Sequence, residues 1–201
     1  MLKSALYLTC TVLFTTFQSI GETPLEPGAA IPKPETRWLD ISGKEISLNT
    51  AKGGNGLLVI FAGNRCPYML RNQERLHRIC TFARKNNIGV VLVNSNEASR
   101  AEGESLTAMK DYAAEQQYAW YYIIDKNAAL ADAFDASHTP ESYLFDKNSR
   151  LVYKGALDDS PGNANAVKTQ LLQNAMNEML AGKAPAINSS NSLGCNIKRR
   201  R

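Results

Sequence analysis

The chain has 201 residues, of which 44% are hydrophobic and 21% charged, a balance typical of one globular domain and not of a disordered or membrane-filling chain. Its formal net charge is +4, but four cations stand together at residues 198–201. No basic stretch interleaved with aromatic residues occurs elsewhere, so nucleic-acid binding is not expected. Such a basic end is typical of a solvated terminus, with docking on an anionic membrane as the weaker alternative.

Residues 1–21 have the pattern of a secretory signal peptide. Lys3 supplies the positive start, residues 5–17 are apolar and uncharged, and Ser19 and Gly21 are small residues at the positions that a signal peptidase reads. The apolar run is shorter than the roughly 20 residues that a membrane span needs. The sequence therefore predicts a periplasmic or secreted protein, cleaved near Gly21, with an uncleaved membrane anchor as the alternative.

Downstream of this segment the chain divides into three parts. Residues 22–35 are rich in proline and glycine and predict a linker, residues 36–182 predict one domain, and residues 183–201 predict a C-terminal tail. Apolar runs and helical spacing predict, in chain order, a hairpin at 38–41 and 45–48, a strand at 57–62, a helix at 67–86, a strand at 88–93, a helix at 104–118, a strand at 121–124, a short helix at 128–134, a hairpin at 142–145 and 151–155, and a helix at 167–180.

Parallel strand–helix units followed by an antiparallel pair indicate how these elements assemble. They predict an α/β fold with a central mixed β-sheet flanked by helices and with an N-terminal β-hairpin. In open α/β sheets the chemistry gathers at the carboxyl ends of the parallel strands. Residues at those ends are therefore the first candidates for a site.

Cys66 lies at such an end, between a buried strand and a helix that begins with Pro67. A thiol at a helix N-terminus is close to unpaired backbone N–H groups, which favour the nucleophilic thiolate. Arg65 beside it should stabilise the thiolate in the same way. The sequence predicts Cys66 as the reactive thiol, the alternative being a small apolar residue at the same place.

The other cysteines receive different interpretations. Cys10 leaves with the signal peptide. Cys80 lies on the apolar face of the same helix as Cys66, about 21 Å along it, which is too far for a disulfide, so we expect a buried structural residue. Cys195, in the tail, is a candidate to resolve oxidised Cys66, and two alternatives stay open: an exposed bystander, or a residue held on the domain surface.

The sequence around Cys66 resembles the peroxiredoxin-like redoxin branch, of the alkyl hydroperoxide reductase/thiol-specific antioxidant type, of the thioredoxin-fold superfamily. The resemblance covers roughly residues 36–198 and implies a thioredoxin-like fold with a cis bond before Pro140. The motifs that carry it are Phe61-Ala62-Gly63-Asn64-Arg65-Cys66-Pro67-Tyr68, Glu74-Arg75-Leu76, Asn94-Ser95-Asn96, residues 139–146, residues 151–155 with 158–160, and residues 194–198.

Three positions depart from the patterns of related families. Met69 stands where thioredoxins have the second cysteine of Cys-x-x-Cys, so no local disulfide can form. Val59 and Gly63 stand where peroxiredoxins have the proline and the Thr or Ser whose hydroxyl helps to hold the peroxide. Disulfide exchange and peroxide reduction therefore both stay open as the reaction of Cys66.

The resemblance also assigns residues around the thiol. His138 stands where relatives often have a cysteine, and it either faces Cys66, stabilising the thiolate or moving a proton, or is a surface-loop histidine. Substrate binding is expected at Pro67, Tyr68, Thr139 and Pro140.

Together these observations predict an exported thiol oxidoreductase or peroxiredoxin-like antioxidant protein, with Cys66 as its single nucleophile toward a disulfide or a peroxide. Its expected partners are an external thiol or disulfide protein, or a peroxide substrate. We expect no cofactor, and no histidine and cysteine stand at metal-ligand spacing, so no metal is expected. The alternative is a non-catalytic thioredoxin-fold module that binds a partner through the face of Cys66, Thr139 and Pro140.

Overall fold

A computed structural model describes residues 24–200, so the predicted signal peptide lies outside the described residues. Within that range no helix has the length and apolarity to cross a bilayer. The centre of the molecule is a five-stranded sheet. Its strands are β3 (Gly56–Phe61), β4 (Ile88–Asn94), β5 (Tyr121–Ile124), β7 (Glu141–Phe145) and β8 (Leu151–Gly155).

The order of the strands across this sheet is β5-β4-β3-β7-β8. The first three run parallel, whereas β7 and β8 are antiparallel to their neighbours. Every residue of β3 is buried, because side chains from successive residues enter the two cores on opposite faces of the sheet. The predicted α/β fold with a mixed central sheet is confirmed.

Helices cover both faces of the sheet. The helices α2 (Pro67–Lys85), α3 (Leu106–Glu115) and α5 (Leu171–Leu180) contribute to the core that contains Leu58 and Ile60. The short helices α1 (Leu48–Ala51) and α4 (Ala129–Phe134) contribute to the core on the other face.

The predicted N-terminal hairpin is present in a shorter form. Its strands β1 (Trp38–Leu39) and β2 (Glu45–Ile46) pair antiparallel. The prediction of a strand to residue 48 was wrong, because Ser47 ends it with a capping box: its hydroxyl accepts from the Thr50 N–H at 3.1 Å, and the Thr50 hydroxyl accepts from the Ser47 N–H at 2.9 Å.

Helix α3 also begins later than predicted, at residue 106 instead of 104. The hydroxyl of Ser105 accepts from the Ala108 N–H at 3.2 Å and caps the helix there. Glu104 therefore precedes the helix, and its side chain is buried. Helix α5 begins at residue 171, not 167, after a 3-10 turn at Ala164–Ala166.

The segments predicted as linker and tail both pack on the domain. In the first, the Gly28 N–H donates to the Leu151 carbonyl at 2.7 Å, the Leu151 N–H donates to the Ala29 carbonyl at 2.8 Å, and Ile31 is buried. In the second, β9 (Cys195–Asn196) pairs antiparallel with β6 (His138–Thr139).

Contacts on both sides of β9 also hold the tail. The side chain of Ile197 is buried, and its N–H donates to the Ser137 carbonyl at 2.9 Å. The Arg199 guanidinium forms an ion pair with Asp132 at 2.8 Å. At Gly194, a Cβ atom would lie 2.3 Å from the Thr139 carbonyl oxygen, so only glycine allows this close approach.

Candidate active site

Cys66 is the N-cap residue of α2, with extended backbone angles (φ −74°, ψ 119°), and Pro67 occupies the first helical position. The strand β3 ends five residues earlier, at Phe61. The thiol therefore lies at the carboxyl end of a central parallel strand, as the sequence indicated. Its side chain is only 5% exposed.

The backbone of Thr139 is the immediate partner of this thiol. The Cys66 Sγ donates a hydrogen bond to the Thr139 carbonyl oxygen at 3.0 Å. Thr139 is buried, and the bond between Thr139 and Pro140 is cis, as the resemblance implied. The predicted substrate-binding residues Pro67 and Tyr68 follow Cys66 on the first turn of α2; Pro67 is exposed and Tyr68 is half-buried.

Cys195 lies directly beside Cys66. In the pairing of β6 with β9, Cys195 is opposite Thr139, and the Thr139 hydroxyl donates to the Cys195 carbonyl at 3.4 Å. Both thiols line one cleft and pack in one apolar cluster, and both are free. Cys195 is therefore half-buried and held beside Cys66, so it is not an exposed bystander.

Burial raises the pKa values of both Cys195 and Cys80. For Cys195, burial is the largest cause, the neighbouring Cys66 adds to it, and the Tyr68 N–H and Lys198 act in the opposite direction, which together place the pKa at about 11. At neutral pH, Cys195 is therefore a neutral thiol and a poor first nucleophile. Complete burial raises the pKa of Cys80 far above its ordinary value, which makes it unreactive, as expected from the sequence.

A buried carboxylate holds the turn that leads into Cys66. Glu104 Oε2 accepts from the Asn64 N–H at 3.0 Å, and Oε1 accepts from the Arg65 N–H at 3.3 Å. The Asn94 side chain donates to Oε2 at 2.6 Å, and the Asn96 side chain donates to Oε1 at 3.4 Å. The four donors fix this carboxylate and, through it, the backbone just before the thiol.

The cleft beside Cys66 has a volume of about 340 Å³. Arg65 and Lys198 bring positive charge to its lining, and Glu102 and Glu104 bring negative charge. The Arg65 guanidinium donates to the Glu102 carbonyl oxygen, and its side chain is exposed. It therefore lies at the mouth of the cleft.

His138 is not brought to the thiol. Its Nδ1 atom is 2.7 Å from the Ser137 hydroxyl, and its side chain lines a different cleft, together with Glu141 and Lys154. Among residues 24–200, no group of three or more histidine, cysteine, aspartate or glutamate side chains is arranged to hold a metal ion.

Glu104 and Asn96 were missed as site residues by the sequence analysis. Glu104 stood at the start of a predicted helix, where an acidic residue is ordinary. Asn96 belonged to a motif of the resemblance, but nothing in the sequence indicated what its side chain contacts. Ser105 offered a signal, because serine favours the N-cap position and a helix that begins after Ser105 does not include Glu104.

The family model described as Redoxin matches residues 26–171. No curated protein matches the chain. Among solved structures, the fold is similar to that of an uncharacterized conserved protein from Geobacillus kaustophilus, with a TM-score of 0.81 and 29% identity over 88% of this chain and 93% of that chain. A hypothetical protein from Sinorhizobium meliloti 1021 gives a TM-score of 0.80 and 31% identity, over 89% of this chain and 97% of that one.

A more distant likeness joins the chain to a protein with a named activity. The thioredoxin domain of a thiol-disulfide oxidoreductase from Bacteroides vulgatus matches with a TM-score of 0.54 and 19% identity, covering 65% of this chain and 88% of that one. At this identity the likeness shows the fold alone. These similarities confirm the thioredoxin-like fold that the resemblance implied.

Proposed function

The chain belongs to the redoxin family, and on that premise we propose that it is a thiol oxidoreductase in which Cys66 attacks the substrate and Cys195 resolves the product. The observation that carries the proposal is the position of Cys195 beside Cys66: Cys195 lies opposite Thr139, whose carbonyl accepts the Cys66 thiol at 3.0 Å, and both cysteines line one cleft. Cys66 has no second cysteine on its own helical turn, so its partner comes from the far end of the chain.

Two classes of substrate, hydroperoxides and disulfides, lead to the same oxidised form of the protein. With a hydroperoxide, the Cys66 thiolate attacks one oxygen, the O–O bond breaks, an alcohol or water leaves, and Cys66 becomes a sulfenic acid. The Cys195 sulfur then bonds to the Cys66 sulfur, and the sulfenic oxygen leaves as water. With a disulfide, Cys66 forms a mixed disulfide and releases one thiol, and Cys195 displaces the other.

Either route ends with a disulfide between Cys66 and Cys195, formed as the substrate takes up two electrons. Two thiols, or one dithiol, of an external reductant then return both cysteines to thiols and are themselves oxidised to a disulfide. An external thiol partner is therefore part of the proposal.

The raised pKa of the Cys195 thiol supports this assignment of roles. The pKa of Cys195, raised to about 11, keeps it from competing as the first nucleophile. After the first step the Cys66 sulfur, as a sulfenic acid or mixed disulfide, is the electrophile that Cys195 attacks.

The occupied edge of β6 argues against a non-catalytic binding module. That alternative needs the backbone at Thr139 to be open to an extended partner. The tail already pairs with this edge through Cys195 and Asn196. A partner would have to displace the buried Ile197 and its neighbours to reach it.

We also propose that the protein is exported, because residues 1–21 have the pattern of a signal peptide. An oxidising compartment suits a chain that works through a reversible disulfide. Fusion of residues 1–35 to a reporter enzyme that is active only outside the cytoplasm tests this. Reporter activity and a shortened N-terminus support export; a full-length, cytoplasmic fusion contradicts it.

Turnover with an external dithiol tests the proposed reaction. Purified residues 22–201 are supplied with dithiothreitol and either hydrogen peroxide or a small disulfide, and dithiol consumption is followed. We expect Cys66→Ser to abolish turnover, Cys195→Ser to slow it because dithiothreitol must then resolve oxidised Cys66 itself, and Cys80→Ala to leave it unchanged. Turnover that survives Cys66→Ser would exclude the proposal.

A further inference from the structure

Glu104 is a buried carboxylate that no cationic side chain neutralises in the described part of the chain. It is 3% exposed, and its oxygen atoms accept only from backbone and amide N–H groups. A buried charge is tolerated only where hydrogen bonds replace its water. Two of the donors are the N–H groups of Asn64 and Arg65. The hydrogen bonds that offset the cost of burying this charge therefore also hold the turn before Cys66.

Asn96 extends this contact to the other thiol. Its Nδ2 atom donates to Glu104 Oε1 at 3.4 Å, and its Oδ1 atom accepts from the Lys198 N–H at 2.9 Å. Lys198 lies three residues beyond Cys195, and its carbonyl accepts from the Ala98 N–H at 2.9 Å. One buried amide therefore joins the carboxylate that holds the Cys66 turn to the segment that carries Cys195.

We infer that Glu104 and Asn96 are positioning residues for the redox reaction: together they hold the Cys66 turn and the Cys195 segment in the relation that lets the disulfide close. This inference rests on the proposed function. Neither side chain hydrogen-bonds a thiol, so both act through backbone on either side of the site.

The expected effect follows from the geometry of disulfide closure. The Cα atoms of a disulfide lie within about 7 Å, and the two sulfur atoms must align for attack. A displacement of about 1 Å from the reactive geometry lowers a rate by as much as roughly 100-fold. Loosening either end of the connection should therefore slow closure, whereas the first attack on Cys66 does not need Cys195.

A coloured aromatic disulfide, 5,5′-dithiobis(2-nitrobenzoate), separates the two steps. Attack by Cys66 releases one nitrothiobenzoate, and closure by Cys195 releases a second. We expect Asn96→Ala and Glu104→Gln to slow the second release by at least about tenfold, while Asn96→Ala leaves the first release unchanged or faster. A simple loss of stability does not separate the two rates in this way.

Reversing the hydrogen-bond donor and acceptor between Asn96 and Glu104 gives a rescue variant. Asn96→Asp places a second carboxylate against Glu104 and should slow closure more than Asn96→Ala does. Adding Glu104→Gln to Asn96→Asp restores a donor facing an acceptor, so closure should partly recover. Recovery stays partial because the Arg65 N–H then faces an amide nitrogen. Glu74→Gln and Asn174→Asp, on exposed helix faces, are the matched controls.

The same experiment distinguishes a failure of the positioning role from a failure of the proposed function. If the wild-type protein releases no nitrothiobenzoate, or only one per chain, the proposed function fails. If the wild type releases two and folded Asn96→Ala releases both at wild-type rates, the positioning role is overturned and the proposed function stands. Where Glu104→Gln does not fold, as judged by circular dichroism, Asn96→Ala alone decides.

Discussion

Thr139 and Cys195 face each other across two short antiparallel strands, and the Thr139 carbonyl also accepts the Cys66 thiol at 3.0 Å. One buried residue therefore contacts both cysteines. The C-terminal segment thereby covers Cys66, which is 5% exposed and lines a cleft of about 340 Å³. In the proposed function, access to the thiol and closure of the disulfide both depend on this segment.

Closure should depend steeply on pH. The pKa of Cys195 is raised to about 11, mainly by burial, so its thiolate is the minor form at neutral pH and grows as the pH rises. We expect the closure rate, measured by quenched flow on the mixed disulfide of Cys66, to rise about tenfold per pH unit between about pH 6 and 9. A flat profile would show that Cys195 is not the attacking thiol.

Gly194→Ala should prevent the tail from docking. Its Cβ would lie 2.3 Å from the Thr139 carbonyl oxygen, which no side-chain adjustment relieves because the opposing atom is backbone. We expect closure to slow by about 100-fold, while the circular dichroism of the domain is retained. Gly162→Ala is the control, since a Cβ there meets nothing within 4 Å.

Removing residues 191–201 should widen the range of substrates. With the tail in place, Cys66 is buried and its Thr139 partner is paired, so small oxidants enter more readily than a folded protein disulfide. The shortened protein should alkylate with iodoacetamide at Cys66 at least about tenfold faster and form mixed disulfides with oxidised insulin. Equal alkylation rates in both forms would show that the tail does not cover the thiol.

Asp158→Asn should destabilise the fold without changing the redox roles. Asp158 and Arg75 form a buried ion pair at 2.5 Å that joins α2 to the loop after β8. Loss of one partner leaves the other charge buried, at a cost of about 3 kcal/mol in the free energy of unfolding measured with urea. The exposed Asp111→Asn should change that free energy by no more than about 0.5 kcal/mol.

The strand and helix order was predictable from the sequence because the buried strands are continuous apolar runs. The apolar run at residues 57–61, which follows a glycine-rich segment, predicts a central strand, and Cys66 with Pro67 marks the helix start that follows. Element ends were less predictable, since local caps at Ser47 and Ser105 override the hydrophobic pattern.

The position of Cys195 beside Cys66 could not be predicted from the sequence. β9 has two residues, and a single buried side chain, Ile197, anchors the segment after it, so no periodic pattern shows that it docks. The connection from Glu104 through Asn96 to Lys198 spans residues far apart in the chain. Hydrogen bonds of this kind are set by tertiary structure, which sequence patterns at short range do not contain.

The most direct test of the central claim is peptide mapping by mass spectrometry of non-reduced protein after exposure to one equivalent of hydrogen peroxide or of a small disulfide. A peptide pair joined between Cys66 and Cys195, lost on reduction and absent in Cys195→Ser, is the result predicted. Cys66 oxidised to a sulfinic acid, or left as a thiol, while Cys195 stays free would contradict the claim that these two cysteines form the redox pair.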